Sequence, residues 1–116
     1  MYIYFRLLYI LHIFTPKQNN MRKLDSSVRK NGYTYNLIER NDFKAIYSQH
    51  LVCGKVIGHE VFKIQIGKES ELFGKLIPER EKFPSDNDFG VTAWSVGVDL
   101  NKALSRYNQL TNKTDR

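Results

Sequence analysis

The residues of this chain whose types are best suited to chemistry lie close together in sequence. His50, Cys53 and His59 are spaced as H-x2-C-x5-H, and such side chains can bind zinc or pair as base and nucleophile. Structural zinc takes four ligands, usually as two close pairs, and no second pair is present. A catalytic cysteine needs an orienting group and an oxyanion pocket, and no pattern marks either. We therefore predict a turn with an incidental thiol, no metal and no cofactor.

A second candidate is the acidic run that begins at Asp86. Asp86, Asp88 and Gly90 match part of a calcium-binding loop, but the twelfth position from Asp86 is Gly97 instead of a bidentate acid. Ser85 followed three residues later by Asp88 is a weak capping box, which predicts a helix start. The chain also lacks a Walker loop, a dinucleotide fingerprint and a serine elbow. We expect a protein that is not an enzyme.

Charge and composition point to a binding protein with an acidic partner. The 116 residues carry a formal net charge of +6, and 13% of them are aromatic, enough for one core. A basic surface favours nucleic acid, an anionic membrane or an acidic protein face, although a soluble domain with a basic bias has the same composition. The single cysteine excludes an internal disulfide and favours a reducing compartment. We expect a location in the cytoplasm.

Nucleic acid is the strongest functional prediction that the residues themselves support. Lysines are spread over the strand region, and tyrosines among them could offer faces on which bases stack. The alternative is that the tyrosines form core and the lysines solubilise sheet edges. The predicted binding residues are Arg22, Lys23, Arg29, Lys30, Tyr33, Tyr35, Lys44, Tyr47, Lys55 and Lys63.

The first twenty residues differ in composition from the rest of the chain. Residues 2–14 are almost wholly apolar, too short a run to span a membrane and poorly matched to a signal peptide. Ordinary globular composition begins at Met21, so we expect residues 1–20 to be an extension from a wrongly assigned start. The alternative is a short amphipathic helix that lies on a membrane or binds a partner. Residues 21–32 are predicted to be a basic arm.

The elements that must position any site are strands followed by a helix. Residues 33–40 and 43–50 read as a β-hairpin around Asn41-Asp42, residues 56–66 as the clearest strand, with a bulge at Gly58, and residues 72–77 as a fourth strand. Asp99 is the predicted cap of a helix over residues 100–110, whose apolar stripe follows the helical period. The predicted core residues are Leu37, Ile46, Phe62, Ile64, Trp94, Leu100, Ala103, Leu104 and Tyr107.

These elements predict an α+β fold. A three- to four-stranded antiparallel β-meander is packed by one C-terminal α-helix, in a single domain over residues 33–112. The helix covers one face of the sheet. The opposite face, left uncovered, and the basic arm are where we expect the partner to bind.

Several segments resemble small uncharacterised proteins of bacteriophages and mobile elements. They are NGYTYNLIER from residue 31, GKVIGHEVFKIQI from residue 54, FPSDNDFG from residue 83, AWS from residue 93 and DLNKALSRYNQL from residue 99. Some such proteins inhibit host defence, among them anti-CRISPR proteins that bind an effector or its guide RNA. The resemblance implies an inhibitor whose partner is a host effector protein or ribonucleoprotein.

A fainter resemblance is to the plant ethylene-response DNA-binding domain. DLNKALSRY is similar to the entry of its helix, which also follows three antiparallel strands. The Arg- and Trp-rich strands that read bases there are missing, and Trp94 follows the predicted strands. Three hypotheses remain. The preferred one is a non-enzymatic inhibitor of a host nucleic-acid-dependent defence effector, the second is a direct DNA- or RNA-binding module that uses a basic sheet face, and the third is a membrane-surface protein that uses residues 2–14. A membrane partner is the least expected, and no oligomeric state is predicted.

Overall fold

The computed structural model describes residues 21–111. Within that range the chain forms strands, a 3-10 turn at Asp86–Asp88 and one α-helix. The elements are β1 (Ser27–Lys30), β2 (Tyr33–Arg40), β3 (Lys44–His50), β4 (Val56–Lys63), β5 (Gln65–Gly67), β6 (Ser70–Leu72), β7 (Lys75–Ile77), β8 (Arg80–Lys82), β9 (Ala93–Val96) and α1 (Leu100–Gln109). The predictions for residues 1–20 and for residue 112 lie outside the described residues.

The described residues fall into two compact units. One contains residues 21–23 and 66–81, and the other contains residues 24–65 and 82–111. The first unit includes the β6–β7 hairpin. The second holds the main sheet, in the order β1-β2-β3-β4-β9, and the helix.

Local turn chemistry explains how the main sheet forms. Asn31 and Gly32 both have positive φ, which is the two-residue turn that suits the twist of a hairpin between β1 and β2. Between β2 and β3, the side-chain oxygen of Asn41 accepts from the backbone nitrogens of Phe43 (2.7 Å) and Lys44 (3.0 Å). The predicted hairpin around Asn41-Asp42 is therefore confirmed. All strand pairs of this sheet are antiparallel.

The α+β class and the C-terminal helix are confirmed, but the predicted number of strands is too small. The main sheet within residues 24–111 has five strands. One extra strand, β1, comes from the segment predicted to be a basic arm, where the Asn31-Gly32 signal was missed. The other is β9, which pairs along β4. The predicted fourth strand over residues 72–77 is instead part of the β6–β7 hairpin, which turns at Phe73-Gly74.

Gly58 lies where the predicted bulge was placed. The register of β3 against β4 shifts between Gln49 and His50, next to this glycine. A side chain at position 58 would approach the carbonyl oxygen of Val96 to 3.3 Å and the Gln49 amide oxygen to 3.5 Å. Glycine therefore allows β9 to lie close against β4 at this point.

We call the side of the main sheet that α1 covers the helix face. Asp99 caps α1, and its carboxylate accepts from the backbone nitrogen of Asn101 at 2.9 Å. The buried core of the helix face consists of Ile46, Val61, Ala103, Tyr107 and Leu110, with Trp94, Val96 and Leu104 partly buried beside it. Leu100, predicted to be core, is 42% exposed because it is the first residue of the helix and lies at the margin of the packed stripe.

We call the opposite side the aromatic face, and it is not uncovered as predicted. Its buried core consists of Tyr35, Ala45, Tyr47, Phe62 and Ala93. The ring of Phe83 lies over this core, with its centroid 5.2 Å from those of Tyr35, Tyr47 and Phe62. Leu24, Val28, Tyr33, Leu37, Ile64 and Phe89 add partly buried contacts. The segment after β8 therefore supplies the second cover of the sheet.

Candidate functional site

The structure gives His50, Cys53 and His59 separate local roles. Nδ1 of His50 donates to the carbonyl oxygen of Gly54 at 3.1 Å, so its Nε2 accepts from the Ser48 hydroxyl at 2.7 Å. Nδ1 of His59 donates to the carbonyl of Gly97 at 2.9 Å. Cys53 is exposed. Within residues 21–111, no group of three or more His, Cys, Asp or Glu side chains is placed to hold a metal ion.

The Ser48–His50 contact has the form of a nucleophile and its base, but it is placed for structure. Ser48 is only 8% exposed, in the middle of strand β3. Its hydroxyl also lies 3.3 Å from the carbonyl oxygen of Asn36 on the neighbouring strand. A substrate carbonyl cannot approach a hydroxyl enclosed in this way, so the pair stabilises the end of the sheet.

The acidic run around Asp86 is a helix start. The carboxylate of Asp88 accepts from the backbone nitrogen of Ser85 at 2.9 Å and from its hydroxyl at 3.2 Å. Both contacts are to the same carboxylate oxygen, Oδ2 of Asp88. The capping explanation of this run is confirmed.

The aromatic face contains a buried ionisable pair that the sequence did not reveal. Glu60 is 7% exposed, and burial raises the pKa of its carboxyl, while Lys30 and a hydrogen bond with Tyr35 oppose that rise and Asp86 adds to it. Burial and the adjacent Glu60 carboxylate raise the pKa of Tyr35 to about 12. The Gln49 amide donates to the Tyr35 hydroxyl at 3.2 Å. This network satisfies polar groups inside the core.

The predicted stacking tyrosines are largely core residues, which corrects that part of the binding prediction. Tyr47 is fully buried, and its hydroxyl donates to the carbonyl oxygen of Asp25 at 2.6 Å. Tyr35 is also buried, and Tyr33 is half-buried against the same aromatic core. A base cannot stack on a ring that already packs on both sides. Tyr35 and Tyr47 are therefore core residues, as the alternative interpretation held, whereas Tyr33 is half-buried.

Two of the predicted lysines act within the fold. The ammonium of Lys30 donates to the carbonyl of Pro84 at 2.6 Å and lies 5.5 Å from the centroid of Phe83. The ammonium of Lys44 donates to the carbonyls of Tyr107 (2.8 Å) and Leu110 (3.2 Å) at the end of α1. Lys44 thus neutralises the negative end of the helix dipole.

The other predicted cations belong to several different segments of the fold. Arg29 and Lys55 are exposed, on β1 and in the β3–β4 turn. Arg22 and Lys23 belong to the unit that contains the β6–β7 hairpin. There, Lys23 lies 3.7 Å from the buried carboxylate of Glu81. Lys63, another of the predicted binding residues, lines a pocket.

That pocket, which we call the Trp94 pocket, opens at the C-terminal end of α1 on the helix face. It has a volume of about 280 Å³, and the described residues that line it are Lys63, Val91, Trp94, Arg106, Gln109, Leu110 and Thr111. The guanidinium of Arg106 lies 4.5 Å from the centroid of the Trp94 ring. Its Nη1 donates to the Gln109 side-chain oxygen at 3.4 Å. The described lining thus contains an aromatic ring, an amide and two cations, and no carboxylate.

Sequence reasoning missed Trp94, Arg106 and Gln109 as site residues because they come from two elements, β9 and α1, and because Trp94 had a structural interpretation as core. A signal was present, however. Arg106 precedes the buried Tyr107 and Gln109 precedes the buried Leu110, so both lie beside the apolar stripe of α1. Trp94 pairs with Val61 on β4. Large aromatic and basic side chains at the margin of a helix–sheet contact are typical of a binding site.

A second exposed feature lies in the other unit, at the tip of the β6–β7 hairpin. Phe73 is 94% exposed and has a positive φ of 52°, a conformation that bulky residues rarely adopt. Leu72 and Leu76 beside it are exposed as well. The hairpin therefore presents an apolar tip on a turn that keeps Phe73 away from its own strands.

None of the described helices is both long and apolar enough to cross a membrane. Comparison with known proteins identifies no relative, since no family model, no curated protein and no solved structure matches the chain. The Trp94 pocket and the hairpin tip are the two exposed features of the described residues with the chemistry to bind a partner.

Proposed function

We propose that this protein is a non-enzymatic nucleic-acid-binding protein that engages its ligand through the Trp94 pocket. One observation carries the proposal: the guanidinium of Arg106 lies over the Trp94 ring beside Lys63, in a cavity of the helix face. Proteins that bind nucleic acid combine aromatic or guanidinium planes, on which bases stack, with cations that meet phosphates. The net charge of +6 supports association with a polyanion.

The register of the sheet adds an electrostatic argument. Lys44 and Lys63 are direct cross-strand partners on β3 and β4. Like charges in such positions repel each other, and Lys44 is directed to the carbonyls at the end of α1. Lys63 is a second cation in the lining of the pocket beside Arg106. The pocket therefore favours an anionic ligand over a neutral or cationic one.

Binding of fluorescently labelled DNA and RNA, followed by anisotropy over a range of salt concentrations, tests this function. The wild-type protein should bind with an affinity that falls steeply as salt rises. A Lys63→Ala/Arg106→Ala variant should bind at least about tenfold more weakly. The matched control is Lys55→Ala/Lys102→Ala, which removes the same charge at exposed positions outside the pocket. Equal losses of affinity in the two variants would contradict binding through the Trp94 pocket. Failure of the wild-type protein to bind DNA or RNA would contradict the proposed function.

A second function, inhibition of a host nucleic-acid-dependent defence effector, is supported by the β6–β7 hairpin. An exposed aromatic anchor with apolar neighbours suits insertion into an apolar pocket of a partner protein. The expected partner is a protein or ribonucleoprotein in the cytoplasm of the host cell. Resemblance to phage proteins motivates this proposal, and the hairpin gives it a location.

The two functions respond differently to a change in the hairpin. If the protein binds an effector protein through the hairpin, one partner should co-purify with the wild type from nuclease-treated host lysate. The same partner should not co-purify with the Phe73→Asp variant. Asn87→Asp, which adds the same charge at an exposed position elsewhere, serves as the control. Co-purification that disappears after nuclease treatment, or that persists in Phe73→Asp, would contradict docking through the hairpin.

A further inference from the structure

We infer that the Trp94 pocket takes a single unpaired base of a single-stranded nucleic acid, with the neighbouring phosphate beside Lys63. This inference rests on the proposed function and makes it more specific. It follows from the size of the pocket, the stacking plane inside it and the position of the charges around it.

Size limits what can enter the pocket. Cavities that hold drug-sized ligands measure roughly 300–1,000 Å³, and this one is about 280 Å³. It therefore suits one planar ring system better than a longer segment of any polymer. A base within a duplex is stacked and paired, so it cannot enter a cavity between a helix and a sheet. An unpaired base can enter without the free-energy cost of unstacking and unpairing.

The stacking plane is built from Arg106 and Trp94. The Arg106 guanidinium lies over the indole ring, 4.5 Å from its centroid, and its hydrogen bond to the Gln109 side chain also holds it there. A guanidinium fixed in this way offers a flat surface for a base. Val91 and Leu110 give the same cavity apolar sides. Gln109 contributes an amide, which can both donate to and accept from the edge of a base.

The charges favour a phosphodiester next to the bound base. Lys63 lines the pocket as part of strand β4, whereas Arg106 and Gln109 belong to α1. A base between these elements would have its sugar and phosphate at the mouth, where the Lys63 ammonium attracts them. Base and phosphate are thus met by different residues, which makes their contributions separable.

Trp94 provides the test, because it is the only tryptophan in the chain. The full chain is titrated with an oligouridylate of about ten nucleotides, with the DNA oligonucleotide of the same length, and with a blunt duplex, while tryptophan fluorescence and anisotropy are recorded. We expect the single strands to bind and to change the Trp94 emission. The duplex should bind at least about tenfold more weakly and leave the emission unchanged.

The variants separate stacking from charge. Arg106→Lys keeps the charge but loses the planar guanidinium, so single-strand affinity should fall about tenfold while the salt dependence stays the same. Lys63→Ala should lower the slope of log affinity against log salt by about one. The control Lys102→Ala, on an exposed position of α1, should leave the fluorescence change intact.

The outcomes distinguish this inference from the proposed function. Duplex and single strand binding equally, with no change in Trp94 emission, would overturn the base pocket and leave nucleic-acid binding standing. Arg106→Lys that binds single strands like the wild type would also overturn it. No binding of any nucleic acid would overturn both.

Discussion

The two faces of the main sheet contain the same kinds of residue, aromatic rings and lysines, but arrange them in different ways. On the aromatic face, the Phe83 ring closes over Tyr35, Tyr47 and Phe62, and Lys30 is bound to a backbone carbonyl. On the helix face, the Trp94 ring remains partly exposed at a cavity beside two cations. One face is therefore core, and the other combines core with the candidate site.

The difference shows that residue type does not separate stacking residues from core residues. A tyrosine in a strand contacts either a ligand or the next layer of the fold, and the choice depends on whether another segment covers it. Here the covering segment is the loop that carries Phe83. It directly follows β8 and lies far in sequence from β2, β3 and β4, the strands whose tyrosines and Phe62 it covers. The helix covers the opposite face only partly, and the Trp94 pocket lies at its C-terminal end.

The largest expected effect comes from opening the aromatic face. Phe83→Ala removes a ring that contacts three other aromatic rings, so the free energy of unfolding should fall by about 3 kcal/mol in urea titrations. Phe73→Ala, at an exposed position, should change it by less than about 0.5 kcal/mol. Similar values for the two variants would show that Phe83 does not close this face. Nucleic-acid affinity of the folded Phe83→Ala protein should be unchanged.

An intermediate effect is expected from Lys44, which we interpret as part of the fold. Lys44→Ala removes the cation at the end of α1 and should lower the free energy of unfolding by about 1 kcal/mol. Its single-strand affinity should stay closer to that of the wild type than the affinity of Lys63→Ala. The reverse order of affinities would place the phosphate contact at Lys44 and would contradict the assignment of the two lysines.

The smallest effect concerns the buried carboxyl of Glu60, and its sign follows from the raised pKa. The folded state holds the proton more tightly than the unfolded state, so stability falls as pH rises from the ordinary value of 4.5 through the folded pKa. Glu60→Gln removes this loss. The variant should gain stability relative to the wild type as pH rises through that window, and show no such gain below it. Urea titrations between pH 4 and pH 7 measure the difference, and a gain that is largest at pH 4 and shrinks as pH rises would contradict it.

Local sequence signals predicted much of the fold. The Asn41-Asp42 hairpin, the Gly58 bulge, the Asp99 cap and the helix all depend on residues near one another in sequence, and all are observed. The β1 hairpin was also encoded locally, by Asn31-Gly32, but the basic composition of the segment hid it. Long-range pairing, such as that of β9 with β4, depends on the fold as a whole and was not predicted.

The candidate site was harder to predict than the fold. Lys63 was identified from charge, but Trp94 and Arg106, twelve positions apart in sequence, are brought together by the packing of α1 on the main sheet. The burial of Tyr35 and Tyr47 likewise depends on Phe83. Composition shows which residues are available for stacking, and tertiary packing decides which of them are exposed.

The most direct test of the contrast between the faces is a nuclear magnetic resonance titration of the full chain with an oligouridylate. The single tryptophan gives one indole N–H signal. We predict that this signal, the Arg106 side-chain signal and the amides around the end of α1 shift on binding, while those of Tyr35, Tyr47 and Phe62 do not. Shifts centred on the aromatic face, with the indole signal unmoved, would contradict the account.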